Sequence, residues 1–202
     1  VFTGLIQDLG EVESIALGAD GARLRIRTVL APKIGLGDSV AVDGVCLTAT
    51  AVDDVGFETE AMNQTLDVTA LGGVEAGGKL NLELAMQACD RLGGHLVQGH
   101  VDGVGTVVSV EEDGFARRLR IELPPQLMRY AVDKGSITLS GVSLTVAELG
   151  EDWVEVSLIP ETLERTNLGR LGPGGKVNVE SDVVAKYVER LVAPFSAGKD
   201  RT

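Results

Sequence analysis

Apolar and polar residues alternate in several short runs: Leu24 and Ile26; Leu80, Leu82 and Leu84; Leu119, Ile121 and Leu123; Val154, Val156 and Leu158; Val177 and Val179. A period of two is that of a strand buried on one side. Glycine-containing turn signals at 18–21, 35–37, 72–78 and 172–175 separate these runs. The pattern predicts five or six short strands in each ~90 residues, hence small antiparallel barrels or sandwiches; closing a barrel also removes exposed edges. Only the tail departs from it. There Asp182 is placed to cap a helix in which Val184, Tyr187, Val188 and Leu191 form one apolar stripe, ending near Pro194. A helix of ~11 residues is marginal alone, so it must pack on its own barrels or on another subunit.

The strand pattern occurs twice. GVCLTAT (44–50) returns as GVSLTVA (141–147), TLDVTALG (65–72) as TLERTNLG (162–169) and LNLE (80–83) as VNVE (177–180), all at a shift of 97. Earlier in the chain the shift is 95: RLRI (23–26) recurs at 118–121, and TGLIQDLGEV (3–12) pairs with QGHVDGVGTV (98–107). A near-constant register across separate segments marks an internal duplication, with halves near 1–90 and 98–185. The expected architecture is all-β, two tandem barrels and a terminal helix, divided as 1–92, 93–181 and 182–202.

With 44 % hydrophobic and 24 % charged residues, the 202-residue chain has enough apolar content for packed cores. A formal net charge of −12 and only 3 % aromatic residues argue against nucleic acid, which calls for a basic face or stacking platforms. No apolar run approaches the ~20 residues of a membrane-spanning helix. Two cysteines are too few for a disulfide framework, and VFTGLIQDLG does not read as a signal peptide. The expectation is a cytoplasmic protein with free thiols and no membrane partner.

LGPGGKV (171–177) imitates a phosphate loop, but Arg170 and Val177 stand where that loop needs glycine and Ser/Thr, and VEAGGKL (74–80) is its repeat. Both histidines lie in GGHLVQGH (93–100). With Cys89 and Asp90 they do not follow the paired spacing of zinc ligands, so no metal is expected. Cys89 reads as a small residue in a packed segment, and His95 as a structural residue at the joint. More informative are the positions where the repeats differ in chemistry: Leu5 against His100, Cys46 against Ser143, and Ala85 against Asp182. Hydroxyls kept in both halves, Thr48 and Thr65, Ser143, Thr145 and Thr162, suit a polyhydroxylated ligand bound once per half.

FTGLIQ, GVCLT, GGHLVQGHVDG, KGSITLSGVSLTV, SLIPETLERTNLG and VNVESDVVAKYVERL together resemble the riboflavin synthase family of the α-subunit type, in order across residues 2–192. The resemblance implies two six-stranded Greek-key β-barrels, a C-terminal helix that assembles a homotrimer, and association with lumazine synthase. It also implies a transferase that dismutates two molecules of 6,7-dimethyl-8-ribityllumazine without metal or cofactor. A four-carbon unit passes from one to the other, giving riboflavin and 5-amino-6-(D-ribitylamino)uracil. Carried over by position, one pocket takes Gly4, Leu5, Ile6, Cys46, Leu47, Thr48 and Glu60, Ala61, Met62, Asn63, Gln64, Thr65. The other takes Gly99, His100, Val101, Lys134, Ser143, Leu144, Thr145 and Ser157, Leu158, Ile159, Pro160, Glu161, Thr162. By the same resemblance Ser39 and Phe2 line the site, Ser143, Asp182, Cys46 and His100 are the catalytic candidates, and the working site joins the first barrel of one subunit to the second of a neighbour. Asn63, Gln64 and Ser140 depart from the family pattern. The alternative is a non-catalytic lumazine- or flavin-binding antenna protein on the same duplicated barrel; the presence of all four candidates argues against it.

Overall fold

The computed structural model describes residues 1–196. Each half closes into a six-stranded antiparallel barrel. The first comprises β1 (Asp8–Leu17), β2 (Gly21–Arg27), β3 (Ser39–Val42), β4 (Val45–Val52), β5 (Gly56–Met62) and β6 (Lys79–Leu84). The second comprises β7 (Gly103–Asp113), β8 (Ala116–Glu122), β9 (Ser136–Leu139), β10 (Val142–Leu149), β11 (Trp153–Leu158) and β12 (Lys176–Ser181). Around the first barrel the order is β1-β2-β5-β4-β3-β6, and the second repeats it strand for strand. Even the irregularities repeat: the register shifts after Val12 and after Val107, and again after Ala49 and after Val146. Bulges bend a strand and tighten its twist, as closing so small a barrel requires.

The alternating residues fill the interiors. Leu24, Ile26, Leu80 and Leu82 join Val12, Val40 and Phe57 in one core; Leu119, Ile121, Val154, Val156, Leu158, Val177 and Val179 build the other. Two short helices, α1 (Asn63–Val68) and α3 (Pro160–Arg165), follow β5 and β11, and α2 (Pro125–Met128) follows β8. Thr69 and Thr166 close α1 and α3 alike, each donating its hydroxyl to the carbonyl four residues earlier.

The barrels meet along a near-symmetric seam. Asn81 on β6 donates its side-chain amide to the Ser140 carbonyl at 2.8 Å, and Asn178 on β12 returns the same bond to the Asp43 carbonyl at 2.9 Å. Gly44 and Gly141 sit back to back, with room for neither to carry a side chain. The symmetry breaks at one pair. Asn167 donates to both oxygens of buried Asp43, at 2.9 and 3.0 Å, whereas Ala70 and Ser140 occupy the matching places.

Helix α4 (Val183–Ser196) ends near Pro194, as the sequence predicts, running two residues past it. A proline removes one amide donor without obliging the last turn to stop. Its polar side holds the second barrel: Lys186 pairs with Asp102 at 2.7 Å, and the Tyr130 hydroxyl donates to Glu189 at 2.6 Å. The apolar stripe faces away, with Tyr187 65 % and Leu191 70 % exposed.

Candidate active site

Each barrel borrows part of its wall from the other half. The Cys46 amide at the start of β4 donates to the Gly99 carbonyl at 2.9 Å, and the Ser143 amide at the start of β10 donates to the Gly4 carbonyl at 2.8 Å. Accordingly Val101 packs on the first core and Ile6 on the second. This corrects the expectation that Gly4, Leu5 and Ile6 belong with Cys46, and Gly99, His100 and Val101 with Ser143. The segments cross because they are tied down at the seam. Phe2 and Val97 exchange backbone hydrogen bonds there. Glu83 on β6 accepts from the Thr3 and Gly4 amides at 2.6 and 2.9 Å, and Glu180 on β12 accepts from the Gln98 and Gly99 amides at 2.8 and 3.0 Å. Burial pushes both carboxyls above the usual range, even though the donated amides pull them down. Gly4 and Gly99 both adopt left-handed backbone, and a Cβ on either would lie 2.5 Å from Ser143 Cβ or 2.6 Å from Cys46 Cβ. Only glycine meets both demands.

On the first barrel, half-buried Cys46 lies under Gly99, and exposed His100 follows directly. Ser39 stands opposite exposed Thr48 on the paired strands β3 and β4. Leu47 and Ala61 are core residues. Glu60 points outward to Arg23 at 2.7 Å, and Met62 and Gln64 are exposed, with Thr65 half-buried on α1. The Asn63 side chain is committed to the Ala19 carbonyl at 2.8 Å. Phe2 is fully buried with Ala41 and Val97, against Cys46 rather than in the open.

On the second barrel the Ser143 hydroxyl lies 2.7 Å from His95 Nδ1, and His95 Nε2 lies 3.1 Å from the Thr138 hydroxyl. His95 is therefore part of this site, not only of the joint between halves. Its burial holds the imidazole below its ordinary pKa, opposed by the negative charge of Asp182. Asp182 caps α4 as expected, accepting the Val184 amide at 2.9 Å. Leu5, Thr145, Ser157 and Ile159 are exposed; Leu144 leans on the core and Leu158 is inside it. Pro160, Glu161 and Thr162 open α3. Lys134 is exposed, its ammonium donating to the Ala147 carbonyl. Comparing the halves could not find His95, because it lies ahead of the stretch over which the repeats align, 98–107 against 3–12. The signal available was the pair Gly93-Gly94 just before it. Cys89 is exposed on the connecting segment, which corrects its expected packing. Among the described residues no His, Cys, Asp and Glu side chains converge as a metal site.

The lumazine binding domain family matches this chain twice, at residues 3–85 and 98–182. A riboflavin synthase of Mycobacterium bovis is 48 % identical over 197 residues, covering 95 % of this chain and 98 % of its own. The chain belongs to the riboflavin synthase family. Two further riboflavin synthases, of Actinobacillus pleuropneumoniae and Bacillus subtilis, are each 40 % identical, covering 100 % and 98 % of this chain and 94 % and 93 % of their own. Two solved structures share its fold. LumP complexed with riboflavin has a TM-score of 0.84, and LumP complexed with 6,7-dimethyl-8-(1'-D-ribityl) lumazine has 0.81. Both are 26 % identical and cover 90 % of this chain and 99 % of theirs. Identity thus runs higher to the riboflavin synthase relatives than to LumP, while the barrel pair is common to both.

Proposed function

We infer that this chain catalyses the riboflavin synthase reaction, and the full-length identity to riboflavin synthases carries that reading. Two 6,7-dimethyl-8-ribityllumazine molecules react; one gives up a four-carbon unit and leaves as 5-amino-6-(D-ribitylamino)uracil, and the other becomes riboflavin. The two reactants are chemically identical but play opposite parts. Two barrels of one design that differ in their polar groups suit that division: Cys46 and His100 on the first, Ser143, His95 and Asp182 on the second. The lumazine 7-methyl is acidic because the ring delocalises the resulting carbanion. Much of the catalysis is then orientation of two rings, plus donors placed where charge develops. Ser143 and Asp182 serve as hydroxyl donor and charge partner to the ring under attack; Cys46 and His100 distinguish the other pocket.

The chain divides as 1–92 and 93–181, each supplying one barrel and a segment that crosses to the other's pocket, with 182–202 as the assembly element, of which 197–202 lie outside the described residues. A homotrimer, with each working site shared between neighbours, is supported by the outward apolar stripe of α4. The free thiols Cys46 and Cys89 suit the cytoplasm, and association with lumazine synthase would bring the substrate's source alongside.

Incubation with the lumazine alone tests the activity. Riboflavin and the aminouracil should appear in equal amounts, one of each per two lumazines consumed. Tight binding without turnover would establish the antenna reading instead. Sedimentation should give three times the chain mass, and a monomer with full activity would refute the shared site.

A further inference from the structure

Thr138 and Ser143 are adjacent on β9 and β10, both facing the strap Gly93-Gly94-His95. The strap lies close: a Cβ on Gly94 would stand 2.8 Å from Ser143 Oγ and 2.1 Å from the Thr3 carbonyl. A side chain there would push the strap, and the imidazole with it, off the serine. The two ring nitrogens can each donate or accept, and the burial of Thr138 argues for one tautomer. Thr138 is 1 % exposed, and among the described residues His95 Nε2 is the one partner of its hydroxyl. A buried hydroxyl proton without an acceptor is costly, so Thr138 donates to Nε2. A neutral imidazole that accepts at Nε2 carries its proton at Nδ1, and Nδ1–H faces Ser143 Oγ at 2.7 Å. Ser143 must then accept from His95, and its own hydroxyl proton is turned away from the strap.

We propose that His95 is a positioning residue of the second barrel: through Nδ1–H it commits Ser143 to act as a hydrogen-bond donor to the bound lumazine. The inference rests on the riboflavin synthase reading. It also supplies an asymmetry the repeats alone do not reveal. In the first barrel the place of Thr138 is held by Ala41, packed under Phe2 and Val97. Cys46 therefore has no such relay, and only the second pocket holds a serine of fixed polarity.

Two substitutions separate the nitrogens. Asparagine can place an amide donor near the Nδ1 position, whereas glutamine reaches toward Thr138 and leaves Ser143 without its donor. His95→Gln should lower kcat roughly tenfold or more, with lumazine and riboflavin affinity little changed, and His95→Asn should lose clearly less. On a Ser143→Ala background the His95→Gln penalty should disappear, since the relay then has nothing to hold. In the wild-type protein, 15N spectra of the imidazole should show the Nδ1–H tautomer. Equal losses in both variants, an unchanged penalty without Ser143, or the Nε2–H tautomer would each overturn the proposal. Inactivity of the wild type would instead strike the underlying reading.

Discussion

Ser143 and Asp182 test the chemistry at the level of single groups. Ser143→Ala removes a donor while leaving the amide that binds the Gly4 carbonyl in place. Asp182→Asn keeps an oxygen able to cap α4 but removes the charge. Both should lower turnover far more than substrate affinity, by roughly 10- to 1,000-fold, the range seen when a donor or charge acts mainly in the transition state. Steady-state rates alongside fluorescence titration of bound ligand measure the two separately. Equal losses in rate and affinity would show that these groups hold the ground state instead. Cys46, Ser143 and Asp182 stood out in the sequence as candidates because the halves supply their own comparison. His95 did not, because it lies outside the duplicated register and its role depends on a buried hydroxyl from another strand.

Strands were the most legible elements. Every alternating run lies on a strand or reaches just past its end, and each glycine cluster falls between strands or just ahead of one. The crossing of the two N-terminal segments was not legible, since repeat alignment pairs Gly4 with Gly99 and says nothing about which barrel each one touches. That depends on Glu83 and Glu180, which read in sequence as polar positions in alternating strands and are in fact 2 % and 3 % exposed. The crossing makes an unusual effect testable. Glu180 is on the second barrel, but the segment it holds covers Cys46 on the first. Glu180→Ala leaves two backbone amides without their acceptor and should cost about 2–4 kcal/mol of stability. Hydrogen exchange should speed up at Gln98 and Gly99, and ligand binding at the first barrel should weaken more than at the second. Losses confined to the second barrel would contradict the crossing.

Over the whole molecule, the seam makes stability depend on pH. Burial raises the Asp43 carboxyl from an ordinary 3.8 to about 7, against the pull of the Asn81 and Asn167 donors. The folded protein therefore holds this proton more tightly than the unfolded chain does. The resulting stabilisation is full below about pH 4 and is lost as pH rises to about 7, a swing on the order of 4 kcal/mol at most. Asp43→Ser copies the residue found at Ser140 and should flatten this part of the profile. Denaturant midpoints between pH 5 and pH 8 should fall more steeply for wild type than for the variant; parallel profiles would place the titration elsewhere. The seam also explains Ser140 itself. An aspartate there would keep the Asn178 backbone amide as a donor but would face Ala70 where Asp43 faces Asn167, and would be buried without the side-chain amide that meets both Asp43 oxygens.

The exchanged segments bear on heredity as well as stability. A pocket whose floor comes from one half and whose roof comes from the other cannot be moved by cutting and joining the chain between its halves. Fusing two first halves would place Leu5 over both Cys46 positions and remove His100 altogether. Fusing two second halves would place His100 beside both serines. With the copies joined in this way, a change in 4–6 or 99–101 alters the pocket of the other half, whereas a change at Cys46, Thr138 or Ser143 alters only its own.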